Sequence, residues 1–146
     1  MGDIAEKIAL CPTMGGVDEL MAQARTVAQR AYAPYSKFRV GAAVRDANGA
    51  TYVGCNVESA SYGLTMCAER NAVFGALAAG ARRPLVALAL TCLDATGDGS
   101  CMPCGACRQV IAEHLAPDAR IAIDGGGQFS VGDLLPFAFT LAPPQA

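Results

Sequence analysis

The sequence predicts a single α/β domain in which helices pack on both faces of a mixed β-sheet, and three observations support this fold class. The chain has 146 residues, 53% of them hydrophobic and 16% charged, which is enough apolar material for one core. Predicted strands alternate with helices after an initial hairpin, as in a mixed sheet covered by helices. Residues 84–92, PLVALALTC, form a continuous apolar run, as expected of a strand covered on both faces. We expect one domain over residues 1–146, with less firmly held ends at 1–15 and 141–146.

The first half of the chain predicts a helix followed by a hairpin. Between residues 17 and 31, apolar side chains recur at steps of three and four, which indicates an amphipathic helix. Pro34 then prevents the helix from continuing. Residues 38–45 and 51–57 are predicted strands, and Asn48-Gly49 between them is a strong signal for a hairpin turn.

The second half predicts two further helices, a strand and a short final element. Residues 65–79 are rich in alanine and poor in helix breakers, and residues 105–115 follow a cysteine run in the same way. Residues 120–124 are predicted to form a short apolar strand and the glycine-rich residues 125–128 a turn. One more short strand can follow this turn, before the last helix. Residues 131–137 are expected to be a last short helix or turn.

Charge and composition argue against several classes of partner. The formal net charge is −2, and no basic run is longer than Arg82-Arg83. The sequence therefore shows no basic patch of the kind that binds nucleic acid. It has no stretch of eighteen unbroken apolar residues and no secretory signal at its start, so we expect no membrane association. Seven cysteines cannot all pair, which favours a reduced, cytoplasmic chain whose thiols bind metal or pack as small hydrophobes.

Cys101, Cys104 and Cys107 stand at a strict spacing of three, which indicates a metal site. The bacterial iron–sulfur run would continue with a fourth cysteine followed by proline, but Ile111 stands at that place. A closed zinc site that uses all three thiolates and Cys67 remains possible. A catalytic zinc would instead keep one coordination position for water.

His114 is the only histidine, and its position argues against a role as a ligand. It lies seven residues beyond Cys107 on one predicted helix, a rise of about 10 Å. Two ligands that each bind one metal at about 2.0–2.3 Å cannot be so far apart. We expect His114 to be a surface residue near the end of that helix.

Cys67 begins the sequence C-A-E at a second predicted helix start. Helix N-termini carry partial positive charge, which favours thiolate over thiol. Alone, Glu69 would be an ordinary glutamate of a first helical turn. Pro103, Cys104 and Cys107 downstream complete the zinc deaminase signature, in which a ligand, one residue and glutamate precede P-C-x-x-C and the glutamate is the general acid/base.

The chain resembles the small cytidine deaminases of nucleoside salvage. The resemblance extends over residues 32–43, 54–72, 102–110 and 132–139. It implies a three-layer α/β/α fold, one Zn²⁺ per chain and a homotetramer. It also implies hydrolytic deamination of cytidine and 2′-deoxycytidine to uridine and 2′-deoxyuridine, with release of ammonia.

The resemblance implies roles at the metal. Cys67, Cys104 and Cys107 would hold zinc, and Glu69 would carry protons between water, the cytosine ring and the leaving ammonia. Arg70 would donate hydrogen bonds to the thiolates and offset the net −1 charge of three thiolates on a zinc dication.

It also implies a substrate site. Asn56 and Glu58 would bind the ribose 3′-hydroxyl, and Phe38 would pack on the pyrimidine. The backbone of Ala68 and the carbonyl of Met102 would recognise the base edge. From neighbouring subunits, three further residues would reach the site: Ala60, Tyr62 and Phe139.

Three alternatives differ from this interpretation. Blasticidin deaminase shares C-A-E and P-C-x-x-C but lacks the N-x-E and Y-G-L-T elements found here. Deaminases that edit RNA or DNA need a basic groove and usually a histidine ligand. A non-catalytic structural zinc or iron–sulfur module would have no use for Glu69.

Overall fold

A computed structural model describes residues 15–97 and 101–142 of the chain. Within them, the chain forms four α-helices, five strands and one 3-10 turn at Tyr62–Leu64. The helices are α1 (Gly15–Ala28), α2 (Ala68–Ala78), α3 (Gly105–His114) and α4 (Val131–Leu134). The strands are β1 (Val40–Arg45), β2 (Thr51–Cys55), β3 (Leu85–Cys92), β4 (Leu115–Ile123) and β5 (Gly127–Phe129).

The five strands form one mixed sheet in the order β2-β1-β3-β4-β5. Strands β3 and β4 are parallel, and the other neighbouring pairs are antiparallel. At the centre, Ala43 of β1 is paired with Val53 of β2 on one side and Ala89 of β3 on the other. A parallel pair needs a crossover connection, and α3 supplies it by linking the end of β3 to the start of β4.

Helices cover both faces of the sheet, which confirms the predicted fold class. On one face, Leu20 and Ala24 of α1 pack with Ala43 and Ala89. On the other face, a larger cluster joins α2, α3 and α4 to the sheet; it includes Ala72, Val73, Ile111, Leu134, Val44, Leu88 and Ile121. Most of β3 is buried, as its apolar run predicts.

Two glycines allow the helices to approach the sheet closely. A Cβ atom on Gly41 of β1 would lie 2.1 Å from the carbonyl oxygen of Ala24 in α1. A Cβ atom on Gly54 of β2 would lie 2.4 Å from the amide nitrogen of Ala72 in α2. Glycine is therefore favoured at both contacts, because a helix backbone gives way at a greater cost in stability than a flexible side chain does.

The boundaries of several elements differ from the sequence predictions. Helix α1 ends at Ala28, three residues early, in a turn. Helix α2 begins only at Ala68, because Met66 forms an isolated β-bridge with Val57 and so keeps the preceding backbone extended. Strand β4 begins directly after α3, earlier than predicted, and β5 occupies part of the predicted glycine turn.

Some expectations concern residues that are described only in part. Apart from Gly15, Leu141 and Ala142, the ends predicted to be loosely held lie outside the described residues, as does Cys11. Among the described helices, none is long and apolar enough to cross a membrane.

Candidate active site

Three cysteines from two helix starts lie together in space. The Sγ atoms of Cys67, Cys104 and Cys107 all lie within 4.8 Å of one another. Thiolates that share a zinc ion each lie about 2.3 Å from it in a tetrahedral arrangement. The spacing of the three sulfurs fits such an ion, and three protein ligands leave one coordination position open.

The helices place these thiols in an electropositive setting. Cys67 is the N-cap of α2 and Cys104 is the N-cap of α3, both with extended backbone, and Cys107 lies buried in the first turn of α3. Their carbonyls begin the helices, since Cys67 accepts a hydrogen bond from the amide of Asn71 at 3.1 Å and Cys104 from that of Arg108 at 3.0 Å. Both helix N-termini therefore direct positive partial charge toward the sulfurs.

Neighbouring groups favour a thiolate at Cys67. A hydrogen bond with the Cys107 thiol lowers the pKa of Cys67 to about 5, and the Arg70 guanidinium acts in the same direction. Nη2 of Arg70 donates to Sγ of Cys67 at 3.4 Å, and this bond raises the pKa of Arg70. The predicted neighbourhood of Arg70 and the sulfur cluster is thus present in the fold.

Glu69 lies on the first turn of α2 and lines a cavity together with Cys67 and Cys104. It is only 5% exposed. Burial raises the pKa of its carboxyl to about 7, and the neighbouring Cys67 thiolate adds to the effect. A buried carboxyl that titrates near neutral pH can both accept and donate a proton, as a general acid/base requires.

A cavity of about 410 Å³ opens beside this cluster. Its lining is mostly apolar with a few polar side chains, as is typical of small-molecule sites. Eight of the residues that the sequence pointed to line it: Phe38, Asn56, Glu58, Cys67, Ala68, Glu69, Met102 and Cys104.

Five other lining residues were missed from the sequence. Three of them, Val40, Leu90 and Cys92, belong to apolar strand segments, where nothing distinguishes a wall residue from a core residue. The polar residues Ser36 and Thr65 stand in loops, and only their contacts across the chain reveal them. The complete set of missed lining residues is Ser36, Val40, Thr65, Leu90 and Cys92.

Asn56 holds the backbone that carries Phe38. Its Nδ2 donates to the carbonyl of Phe38 at 2.8 Å, and its Oδ1 accepts from the amide of Val40 at 2.8 Å. Each polar atom of an amide can make one bond more. The side chain therefore has a structural role at the start of β1 and retains capacity for a ligand.

Three of the residues predicted to bind substrate lie outside the cavity. Ala60 is exposed, Tyr62 is 76% exposed and Phe139 is 71% exposed. The ring of Tyr62 meets that of Tyr35 edge to face, with centroids 6.1 Å apart. Within one chain these three residues do not line the cavity, and their roles in the site of a neighbouring subunit stay a prediction.

Cys101 and His114 do not join the sulfur cluster. Among the described residues, the group that could hold a metal contains neither of them. Cys101 is 7% exposed, and its Sγ lies 3.9 Å from the carbonyl oxygen of Leu90. His114 ends α3 as predicted, but it is half-buried rather than on the surface, and burial lowers its pKa.

The region from residue 15 to residue 122 matches the family described as "Cytidine and deoxycytidylate deaminase zinc-binding region". The chain belongs to this deaminase family. A family member from Sporosarcina psychrophila, named cytidine deaminase, is 48% identical over 128 residues, which are 85% of this chain and 91% of that protein. A cytidine deaminase of Mycobacterium tuberculosis H37Rv is 47% identical over 123 residues, 84% of this chain and 88% of that protein.

Solved structures of the family have the same architecture. The crystal structure of cytidine deaminase from Burkholderia pseudomallei aligns with a TM-score of 0.75 at 46% identity, over 84% of this chain and 98% of that one. The family relationship predicted from the sequence motifs is therefore confirmed, as are the mixed sheet and its helices.

Proposed function

We propose that this protein is a zinc-dependent cytidine deaminase, which converts cytidine and 2′-deoxycytidine to the uracil nucleosides and ammonia. One observation carries the proposal: three thiols that could hold a metal lie within 4.8 Å of one another, and two of them, Cys67 and Cys104, line one mostly apolar cavity together with the buried carboxyl Glu69. Two similar proteins, each named cytidine deaminase and each from a different bacterial genus, support it.

Cys67, Cys104 and Cys107 would hold one zinc ion per chain. When bound, zinc acts as a Lewis acid that makes a water acidic enough to serve as a nucleophile near neutral pH. Three thiolates give the site a net negative charge that opposes this effect. Arg70 offsets it, because its guanidinium already donates to Sγ of Cys67.

Glu69 moves the protons of the reaction. Its carboxylate takes a proton from the attacking water as the oxygen adds to C4 of the cytosine ring, and it delivers a proton to N3. The same carboxylate then takes the proton of the new C4 hydroxyl and passes it to the amino group, so that C4 becomes a carbonyl, the bond from C4 to the amino nitrogen breaks and ammonia leaves. One water is consumed and one ammonia is released. A single carboxyl suffices for these transfers if it lies within hydrogen-bond reach of the water, N3 and the amino nitrogen.

The remaining cavity residues would orient the nucleoside. Phe38 packs on the pyrimidine, the backbone of Ala68 and the carbonyl of Met102 recognise the base edge, and Asn56 and Glu58 bind the 3′-hydroxyl. None of these contacts depends on the 2′ position, so we expect ribo- and deoxyribonucleosides to be accepted alike.

The working form would be a homotetramer in the cytoplasm. Ala60, Tyr62 and Phe139 are exposed in the single chain, and each would complete the site of a neighbouring subunit. A reduced compartment suits a site built from three free thiols.

Purified protein provides the test. Metal analysis should give one zinc per chain, and cytidine should lose its ultraviolet absorbance as ammonia is released in equal amount. Blasticidin S and a single-stranded oligonucleotide serve as comparison substrates and should be poor or inactive. Iron in place of zinc, or no ammonia from cytidine and 2′-deoxycytidine, would refute the proposal.

A further inference from the structure

We propose that Ser36 is a positioning residue that links recognition of the sugar to the placement of Phe38, an inference that rests on the function proposed above. Ser36 lines the cavity but binds no metal and has no part in proton transfer. It stands between two of the residues that would hold the nucleoside, Glu58 and Phe38. Its hydroxyl contacts both.

The hydroxyl of Ser36 both donates and accepts a hydrogen bond. It donates to Oε1 of Glu58, and it accepts from the amide of Phe38 at 3.0 Å. The other carboxylate oxygen of Glu58 accepts from the amides of Tyr35 at 2.9 Å and Ser36 at 3.2 Å. The carboxylate is thus fixed in orientation by three donors, all from the loop that leads to Phe38.

This loop needs such support. Lys37, between Ser36 and Phe38, has a φ of 59°, in the left-handed region that residues other than glycine rarely adopt. A strained residue persists where its surroundings hold it in place. Here Ser36 holds the amide of Phe38, and Asn56 holds its carbonyl.

The arrangement couples two parts of the substrate. A carboxylate keeps unused lone pairs after accepting three hydrogen bonds, so Glu58 can still accept from a ribose hydroxyl. The hydrogen bond from Ser36 is also the largest cause that lowers the pKa of Glu58, which keeps the acceptor ionised. Without the hydroxyl of Ser36, the carboxylate could rotate away from the 3′-hydroxyl.

The test compares 2′-deoxycytidine with 2′,3′-dideoxycytidine, which lacks the 3′-hydroxyl. For each variant, kcat/KM for 2′-deoxycytidine is divided by kcat/KM for 2′,3′-dideoxycytidine, and this ratio reports recognition of the 3′-hydroxyl. In Ser36→Ala we expect the ratio to fall about tenfold, the value of one hydrogen bond to a charged group. Ser36→Thr keeps the hydroxyl and should restore it. Ser36→Cys, whose thiol is a weak donor, should resemble Ser36→Ala.

Ser130→Ala is the matched control. The Ser130 hydroxyl also lies between a carboxylate and a backbone amide, because it donates to Asp133 and accepts from its amide at the N-cap of α4. This variant should lose stability and leave the ratio unchanged. If Ser36→Ala and Ser36→Cys fold and their ratios stay within about twofold of wild type, Ser36 has only a structural role. Inactivity of the wild-type protein toward both nucleosides would instead refute the proposed function.

Discussion

Cysteines that look equivalent in the sequence have different surroundings in the fold. Cys104 caps α3 and Cys107 follows within its first turn, so both sulfurs lie at a helix N-terminus. Cys101 precedes Pro103 in the loop, and its Sγ lies beside the carbonyl of Leu90 on β3 instead. The three equally spaced cysteines therefore lie in two different environments: Cys104 and Cys107 belong to a cluster that could hold a metal, and Cys101 is packed against β3.

Replacement of single cysteines should separate these functions. Cys101→Ser should keep one zinc per chain and most of the activity, at a cost on the order of 1 kcal/mol in unfolding free energy. Cys104→Ser should lose both zinc and activity, because a hydroxyl does not replace a thiolate ligand. Metal analysis and chemical unfolding measure the two effects. Loss of zinc from Cys101→Ser would show a closed four-thiolate site, which has no room for an attacking water.

Glu69→Gln tests the assignment of the proton carrier. Glutamine has nearly the same shape but cannot take up a proton, so the variant should keep zinc while kcat falls about 10²–10⁴-fold or more. Cytidine turnover and zinc content should be measured on the same preparation. Glu113→Gln is the matched control. It changes an exposed carboxylate near the C-terminal end of α3, at the opposite end of that helix from Cys104, and it should leave turnover unchanged. Near-native activity of Glu69→Gln would contradict the mechanism.

At the scale of elements, the sequence predicts which elements exist better than where they end. Periodicity, the Asn48-Gly49 turn and the apolar run of β3 each reflect local chemistry, so these elements were predictable. The start of α2 was not, because it depends on a bridge between Met66 and Val57, which lie nine positions apart in the sequence. The same limit applies to the site. The motif residues could be identified, but the role of Ser36 depends on contacts 22 residues away.

Substitutions at the two close helix–sheet contacts should affect the metal site differently. In Gly54→Ala, the new Cβ would meet the backbone of α2, whose N-cap is Cys67. In Gly41→Ala, it would meet α1 on the other face. Overpacking of this kind typically costs about 1–3 kcal/mol, so both variants should be less stable. Only Gly54→Ala should also weaken zinc binding, because α2 must move.

Competition with a chelator and urea unfolding measure these two effects. Gly75→Ala is the control: it lies in α2 with open space around the added Cβ, and it should raise stability by about 0.5–1 kcal/mol. Equal zinc affinity in Gly54→Ala and Gly41→Ala would show that the position of α2 does not control the sulfur cluster.

At the scale of the whole molecule, the described surface carries several large apolar side chains that are largely exposed. They include Tyr62, Leu64, Phe137, Phe139 and Leu141. Exposed apolar side chains that lie together can mark an interaction surface. Tyr62 and Phe139 are also the residues that the sequence resemblance places in a neighbour's active site. The homotetramer with composite sites proposed above would account for both the exposure and the resemblance.

Composite sites predict that two variants of low activity can complement each other. Tyr62→Ala should lower turnover about tenfold to a hundredfold, although the side chain lies outside its own chain's cavity. Glu69→Gln is inactive for a different reason. In mixed oligomers from equal co-expression, about one quarter of the sites would combine an intact Glu69 with an intact Tyr62 from a neighbour, so activity should return to about that fraction.

Hetero-oligomers isolated through two different affinity tags would be assayed for cytidine turnover, with sedimentation to establish the number of chains. The matched control combines Glu69→Gln with Cys104→Ser. Both changes lie in the part of the site that one chain builds alone, so no mixture can contain a complete site and no activity should return. If the mixture of Glu69→Gln and Tyr62→Ala shows no more turnover than the mean of the two variants assayed alone, each chain works by itself. The exposed aromatic residues would then have another purpose.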